Sequence, residues 1–176
     1  MKKVLTVLLI TYFISLISSA RAEYVMPYPS YMPGNTMYRV SRIVDRLKFY
    51  WSWGNIAKIK YHLGLSDKYL VEAKTLMEYN QYLLGVDALN RSNKEFSALP
   101  GYIQKATQEY GDVSSFRKTI SEAAAVHDSV LQKLETEVPA QFTWTPEKSA
   151  ATPLSLHEDI EQARAIRQEV LAAVNQ

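Results

Sequence analysis

The chain has 176 residues, long enough for one domain with a real core and short for two. Hydrophobic residues make up 47% and charged residues 22%, which excludes wholesale disorder, and 6 glycines with no long alternating apolar run argue against an all-β chain. With no cysteine, structural disulfides and a lipid-modified cysteine are excluded, so the fold must hold by packing alone.

Residues 1–22 read as a signal peptide. Lys2 and Lys3 form a charged start, Val4 to Ile17 is an apolar run, and Ala20-Arg21-Ala22 offers small residues where an export peptidase reads. Cleavage is expected before Glu23, which places the protein outside the cytoplasm. The alternative is an uncleaved anchor, because Val4 to Ala20 is close to the minimum length for a membrane span. The whole chain carries 20 basic and 18 acidic residues, and losing Lys2, Lys3 and Arg21 leaves 17 against 18. The mature chain is therefore close to neutral, and its basic pI does not argue for nucleic acid.

Residues 23–36 form an expected extended arm. Pro27, Pro29 and Pro33 fix backbone angles, Gly34-Asn35 marks a turn, and Tyr24, Met26, Tyr28, Tyr31 and Met32 alternate among them. An arm this aromatic is expected to lie along the helices and cover part of the core. A helical domain then spans residues 37–138. Its first helix starts at the N-cap Asn35 and stops at Gly54, with Met37, Val40, Val44, Leu47 and Trp51 as its apolar face and Ile43 and Tyr50 beside it. Such a stripe ordinarily faces a core. From Arg39 to Lys60 six basic residues accompany one acid, Asp45, the most biased charge in the chain.

The second helix, Asn55 to Asn80, carries Ile56, Ile59, Leu63, Leu70, Ala73 and Met77 at steps of three and four, with Ser66 in the gap. Gly64 inside it costs about 1 kcal/mol relative to Ala, so close approach of a neighbouring helix is its expected reason. A segment from Leu83 to Ser97 follows, and Pro100-Gly101 breaks or kinks it before Tyr102 to Tyr110. The next helix repeats the alternation through Val113, Phe116, Ile120, Ala123, His127, Val130 and Leu134, and two such stripes invite antiparallel packing. Residues 139–153 read as a linker with a docked spot at Phe142 and Trp144. A last helix, within 154–176, has a capping box at Ser155 and Glu158 and a thin stripe, Leu156, Ile160, Ala163, Val170 and Val174, suited to loose packing or a partner. The expected fold is all-α: an antiparallel helical bundle of four or five helices with an extended Pro/Tyr-rich arm.

The order of the Pro27-Tyr28-Pro29 arm, the Pro33 to Tyr38 turn, the basic aromatic helix Arg42 to Trp53, the stripe around Ala57 to Leu63, Glu72-Ala73 and the His127 to Leu131 segment is distinctive. It resembles a family of exported bacterial helical domains known only as a domain of unknown function. The likeness covers about Tyr24 to Val138, and Thr36 departs from it where the family usually has a proline. The resemblance implies a helical fold and export, and it carries over no activity or site residue.

Chemistry-bearing patterns are sparse. No Cys-x-x-Cys-His or His-Glu-x-x-His occurs. His62 and His127 lie on the two best helices, where Met37 or Met77 would complete an axial haem pair, but a hydrogen-bonded structural histidine is the commoner use. His157 and Glu161, one turn apart, fit an exposed surface pair, and Glu135 and Glu137 point to different helix faces. Three histidines and no Gly-x-Ser-x-Gly elbow give no nucleophile and base to assign. Asn90-Arg91-Ser92 fits a glycosylation acceptor, a triplet that arises easily by chance. Helices two and three, with Ala88 and Phe96, also fit a tetratricopeptide-like pair, but no second copy follows at that period. No catalytic, metal or cofactor-binding residue is therefore assigned. The expected function is non-enzymatic: a structural or interaction module with an unknown protein partner or envelope component. Its candidate contact residues for a partner or an anionic membrane are Arg39, Arg42, Arg46, Tyr50, Trp51 and Trp53.

Overall fold

The computed structural model describes residues 24–29, 31–148 and 150–176, so the expected signal peptide, residues 1–22, and the expected cut before Glu23 lie outside the described residues. The arm holds to the helices by alternate side chains. Tyr24, Met26 and Met32 pack against the two core clusters, while Val25, Tyr28 and Tyr31 face outward.

Helix α1 is Thr36–Trp51, begun by Asn35, whose side chain accepts the Met37 N–H at 2.8 Å. Gly54, at φ +81, turns the chain into α2, Asn55–Glu78, a conformation that a side chain would strain. Residues 79–81 form a tight turn into α3, Tyr82–Ser97. Helix α4 is Leu99–Tyr110 and α5 is Ser114–Glu137. The stretch from 83 to 110 is two helices. Pro100 sits in the first turn of α4, where its missing N–H costs nothing, and the break falls at Ala98. This division gives six helical segments among the described residues. Strands β1, Phe142–Trp144, and β2, Thr152–Leu154, pair antiparallel with Phe142 opposite Leu154, and α6 is Leu156–Val174.

Helices α2, α3, α5 and α6 close a four-helix ring built as two antiparallel hairpins, α2 with α3 and α5 with α6. Its core comes in two tiers. One joins Leu70, Ala73 and Met77 of α2 to Ala88 and Leu89 of α3, Leu131 and Leu134 of α5, and Leu156 and Ile160 of α6. The other joins Ile59 and Leu63 of α2 to Phe96, Ile120 and Ala123, and Val170 and Val174, with Leu99 and Ile103 of α4 sealing its side.

Between the tiers, each of the four helices contributes buried polar groups: Ser66 and Asp67, Ser92 and Asn93, His127, and Arg167. Arg167 donates to the Ser92 hydroxyl at 2.8 Å and to the Asn93 amide oxygen, and Ser92 donates to the Ser66 carbonyl at 2.8 Å. His127 Nε2 donates to Asp67 Oδ1 at 2.7 Å, and the Tyr24 hydroxyl donates to Asp67 Oδ2 at 2.6 Å, which ties the arm into this layer. A polar layer of this kind favours one register, because a slip would leave its members unpaired against apolar neighbours.

Six expectations are corrected. The stripes of α2 and α5 run parallel, because Ile59 and Leu63 share a tier with Ile120 and Ala123 while Leu70 and Met77 share the other with Leu131 and Leu134. Ser155 precedes α6 without a side-chain capping hydrogen bond, so no capping box forms there. Gly64 has open space around it; the close approach is at Gly85, where an added Cβ would lie 2.6 Å from Met77 Cγ. The 139–153 stretch holds the small hairpin, pinned because Phe142 and Leu154 pack on the first tier. The last helix is a full member of the ring, with every residue of its thin stripe buried. Most consequential is α1, whose apolar face is turned away from the bundle: Val40, Val44, Leu47 and Trp51 are all exposed.

Candidate interaction surface

Helix α1 packs mainly on α2, and it does so through its polar side. Asp45 is paired with Lys68, which also donates to the Ser41 hydroxyl at 2.9 Å. The Tyr38 hydroxyl donates to Glu72 Oε1 at 2.7 Å and accepts from Arg91 at 2.7 Å. Tyr61 donates to the Asp45 carbonyl at 3.0 Å, and the Phe49 ring lies 5.6 Å from that of Tyr61. Partner numbers fall along α2 as they rise along α1, so the two helices run antiparallel with Ser41, Asp45 and Tyr38 matched to Lys68 and Glu72. The sequence carries a signal for this: Ser41 and Asp45 share one stripe of α1, and Lys68 and Glu72 share one stripe of α2. The longer apolar stripe overshadows it.

At 100° per residue, Met37, Val40, Val44, Leu47 and Trp51 stand opposite that polar side. Trp51 is 79% exposed, Trp53 just beyond the helix 82%, and Tyr50 74%. Arg39 and Arg46, both exposed, fall on one flank of this face, and Lys48 falls on the other. Thus five of the six sequence candidates, Arg39, Arg46, Tyr50, Trp51 and Trp53, are exposed on or beside the outward face. Arg42 is the exception: half-buried, it donates to the Tyr38 hydroxyl at 3.3 Å and stacks near the Tyr38 and Tyr69 rings. Burial works against its charge, but the Tyr38 hydrogen bond and nearby Tyr69 and Glu72 hold its pKa above the ordinary value.

The histidines have structural partners. His62 Nδ1 is 2.7 Å from Glu95 and its ring stacks on Tyr102, while His127 lies in the polar layer. Met77 is a core residue and Met37 lies on the outward face of α1. His157 donates to the Val138 carbonyl at 3.1 Å, closing the end of α5, and not to Glu161. Glu135 reaches Arg164 on α6, and Glu137 pairs with Lys133. In Asn90-Arg91-Ser92 the serine is wholly buried in the middle of α3, not in the surface loop that an acceptor triplet needs. Among the described residues no group of three or more acidic or histidine side chains is placed to hold a metal ion, and no helix is long and apolar enough to cross a membrane.

Residues 30–141, well over half of the chain and reaching from the arm through α5, match a family described as Domain of unknown function (DUF5667). No curated protein and no solved structure matches the chain.

Proposed function

The chain belongs to the DUF5667 family, a domain of unknown function, and we propose that it is a non-enzymatic, exported module that lies on an anionic membrane surface through the outward face of α1. The observation that carries this reading is the orientation of α1: its polar side satisfies the bundle, and its apolar side is bounded by cations. A second copy is a poor occupant, because the exposed basic flanks would meet like charges across a symmetric interface. An anionic lipid surface complements both parts. Burying what remains exposed of Met37, Val40, Val44, Leu47 and Trp51 offers on the order of 5 kcal/mol. Arg39, Arg46 and Lys48 add about 1 kcal/mol each near an anionic surface. Trp51, Trp53 and Tyr50 are side chains suited to the headgroup level.

Export is proposed from the sequence of residues 1–22. The reading is tested with the chain beginning at Glu23, which retains every residue of both core tiers. Flotation with phosphatidylglycerol-containing vesicles at low salt is expected to recover it. Arg39→Gln with Arg46→Gln should weaken binding about 30-fold, the equivalent of about 2 kcal/mol, and Val44→Asp with Leu47→Asp should abolish it. Equal recovery of all three forms, with circular dichroism unchanged, would overturn the proposal.

A further inference from the structure

Beside the outward face, α1, α2 and α3 enclose a cleft of about 190 Å³. Arg42 and Arg46 line it from α1, Tyr61 and Tyr69 from α2, and Arg91 and Lys94 from α3. Two of these cations are held in place by aromatic rings. The Arg91 guanidinium lies 5.2 Å from the Tyr69 ring centre and the Arg42 guanidinium 6.0 Å from the same ring, so Tyr69 orients both. Arg91 is further fixed by Glu72 and Asp87.

The other two cations are unengaged. Neither Arg46 nor Lys94 has a hydrogen bond or ion pair among the described residues, and both are exposed at the mouth of the cleft. Two carboxylates also line it, and each is already committed: Asp45 to Lys68, and Glu95 to His62. Positive charge is left in excess, and Arg42 and Arg46 sit at i,i+4, a spacing at which like charges repel. An anion with several acceptor oxygens relieves this, and a planar guanidinium meets such oxygens in pairs. The volume is below the roughly 300–1,000 Å³ of sites for drug-sized ligands, so a small headgroup or ion fits it better than an extended ligand.

We infer that this cleft binds a phosphate group, free or as a phosphomonoester, between Arg42, Arg46 and Lys94. The site needs the cleft and not the apolar face of α1. Arg46 belongs to both, whereas Lys94 belongs to the cleft alone, so a Lys94 variant separates this inference from the membrane reading.

The test is titration of inorganic phosphate and of glycerol 3-phosphate into the chain from Glu23 at constant ionic strength, followed by calorimetry. Saturable one-to-one binding is expected, weakened at least about tenfold by Lys94→Gln and by Arg46→Gln, since a charge-assisted contact of about 1.4 kcal/mol or more is lost in each. Lys105→Gln, an exposed cation outside the cleft, should leave it unchanged. Phosphatidate vesicles preferred over phosphatidylglycerol in a Lys94-dependent way would assign a lipid phosphomonoester as the source, and soluble phosphate bound without that preference would assign the free anion. Absence of saturation with either soluble ligand overturns the inference, as does an equal loss in Lys94→Gln and Lys105→Gln. Because both target residues are exposed, their replacement is not expected to disturb folding, and circular dichroism checks this.

Discussion

Acid should weaken the fold through His127. This side chain is wholly buried on α5, with its ring 5.2 Å from that of Phe96 and Asp67 bonded to Nε2. Burial lowers its pKa most, the Asp67 hydrogen bond raises it, the Arg167 charge lowers it, and the Asp67 charge raises it; the net direction is down. The folded imidazole is therefore neutral where the unfolded chain begins to take up a proton, near the ordinary value of about 6.5. Below that pH the unfolded state binds more protons than the native state, so stability that is complete above about 6.5 is lost as pH falls. Worked from the unfolded value alone, the loss is at most about 2 kcal/mol by pH 5. Urea unfolding followed by circular dichroism from pH 8 to pH 5 would show it as a fall of up to about 1 M in the midpoint, for a slope of about 2 kcal/mol/M. The comparison is His127→Gln, whose amide still donates to Asp67 and does not titrate. Since His62 and His157 are present in both chains, a flatter profile for the variant belongs to position 127. Identical pH profiles for the two chains would refute the reasoning.

Two glycines on neighbouring helices should respond with opposite signs. Gly85→Ala drives a methyl to within 2.6 Å of the buried Met77 Cγ, so overpacking of about 1–3 kcal/mol outweighs the gain of about 1 kcal/mol in helix propensity. Gly64→Ala meets nothing within 4 Å and should stabilise by about 1 kcal/mol; thermal melts that moved in the same direction would contradict this assignment of the α2–α3 contact. In the polar layer, Arg167→Ala leaves Ser92 and Asn93 without their donor and opens a cavity against Phe96, a loss of roughly 3–5 kcal/mol. Arg167→Met keeps much of the stem volume while removing a buried charge, whose pKa burial pulls down to about 10, and should cost clearly less; equal denaturation midpoints for the two variants would contradict that.

The long three-four stripes of α2 and α5 are legible in the sequence, since most residues in them are buried, with Ile56, Phe116 and Val130 partly so, and their spacing has a single helical solution. Even the gap at Ser66 and the histidine at 127 mark the level of the polar layer. What periodicity leaves open is which way an amphipathic helix faces. Both sides of α1 are chemically consistent: one apolar, the other a set of groups that find partners only when Lys68, Glu72 and Arg91 are brought beside it in space. The thin stripe of α6 is similarly ambiguous until Arg167 is seen to complete a layer begun on three other helices. The cleft is further from reach, because its walls come from positions 42 to 46, 61 to 69 and 91 to 95, joined only by the fold.

The central claim, that the outward face of α1 enters the headgroup region of an anionic membrane, is tested most directly by tryptophan fluorescence. In a Trp144→Phe chain beginning at Glu23 the emission comes from Trp51 and Trp53 alone. With phosphatidylglycerol vesicles carrying brominated acyl chains, the account predicts a blue shift and quenching that Val44→Asp with Leu47→Asp removes. Emission that stays at its solvent-exposed wavelength and is unquenched at saturating lipid would contradict it.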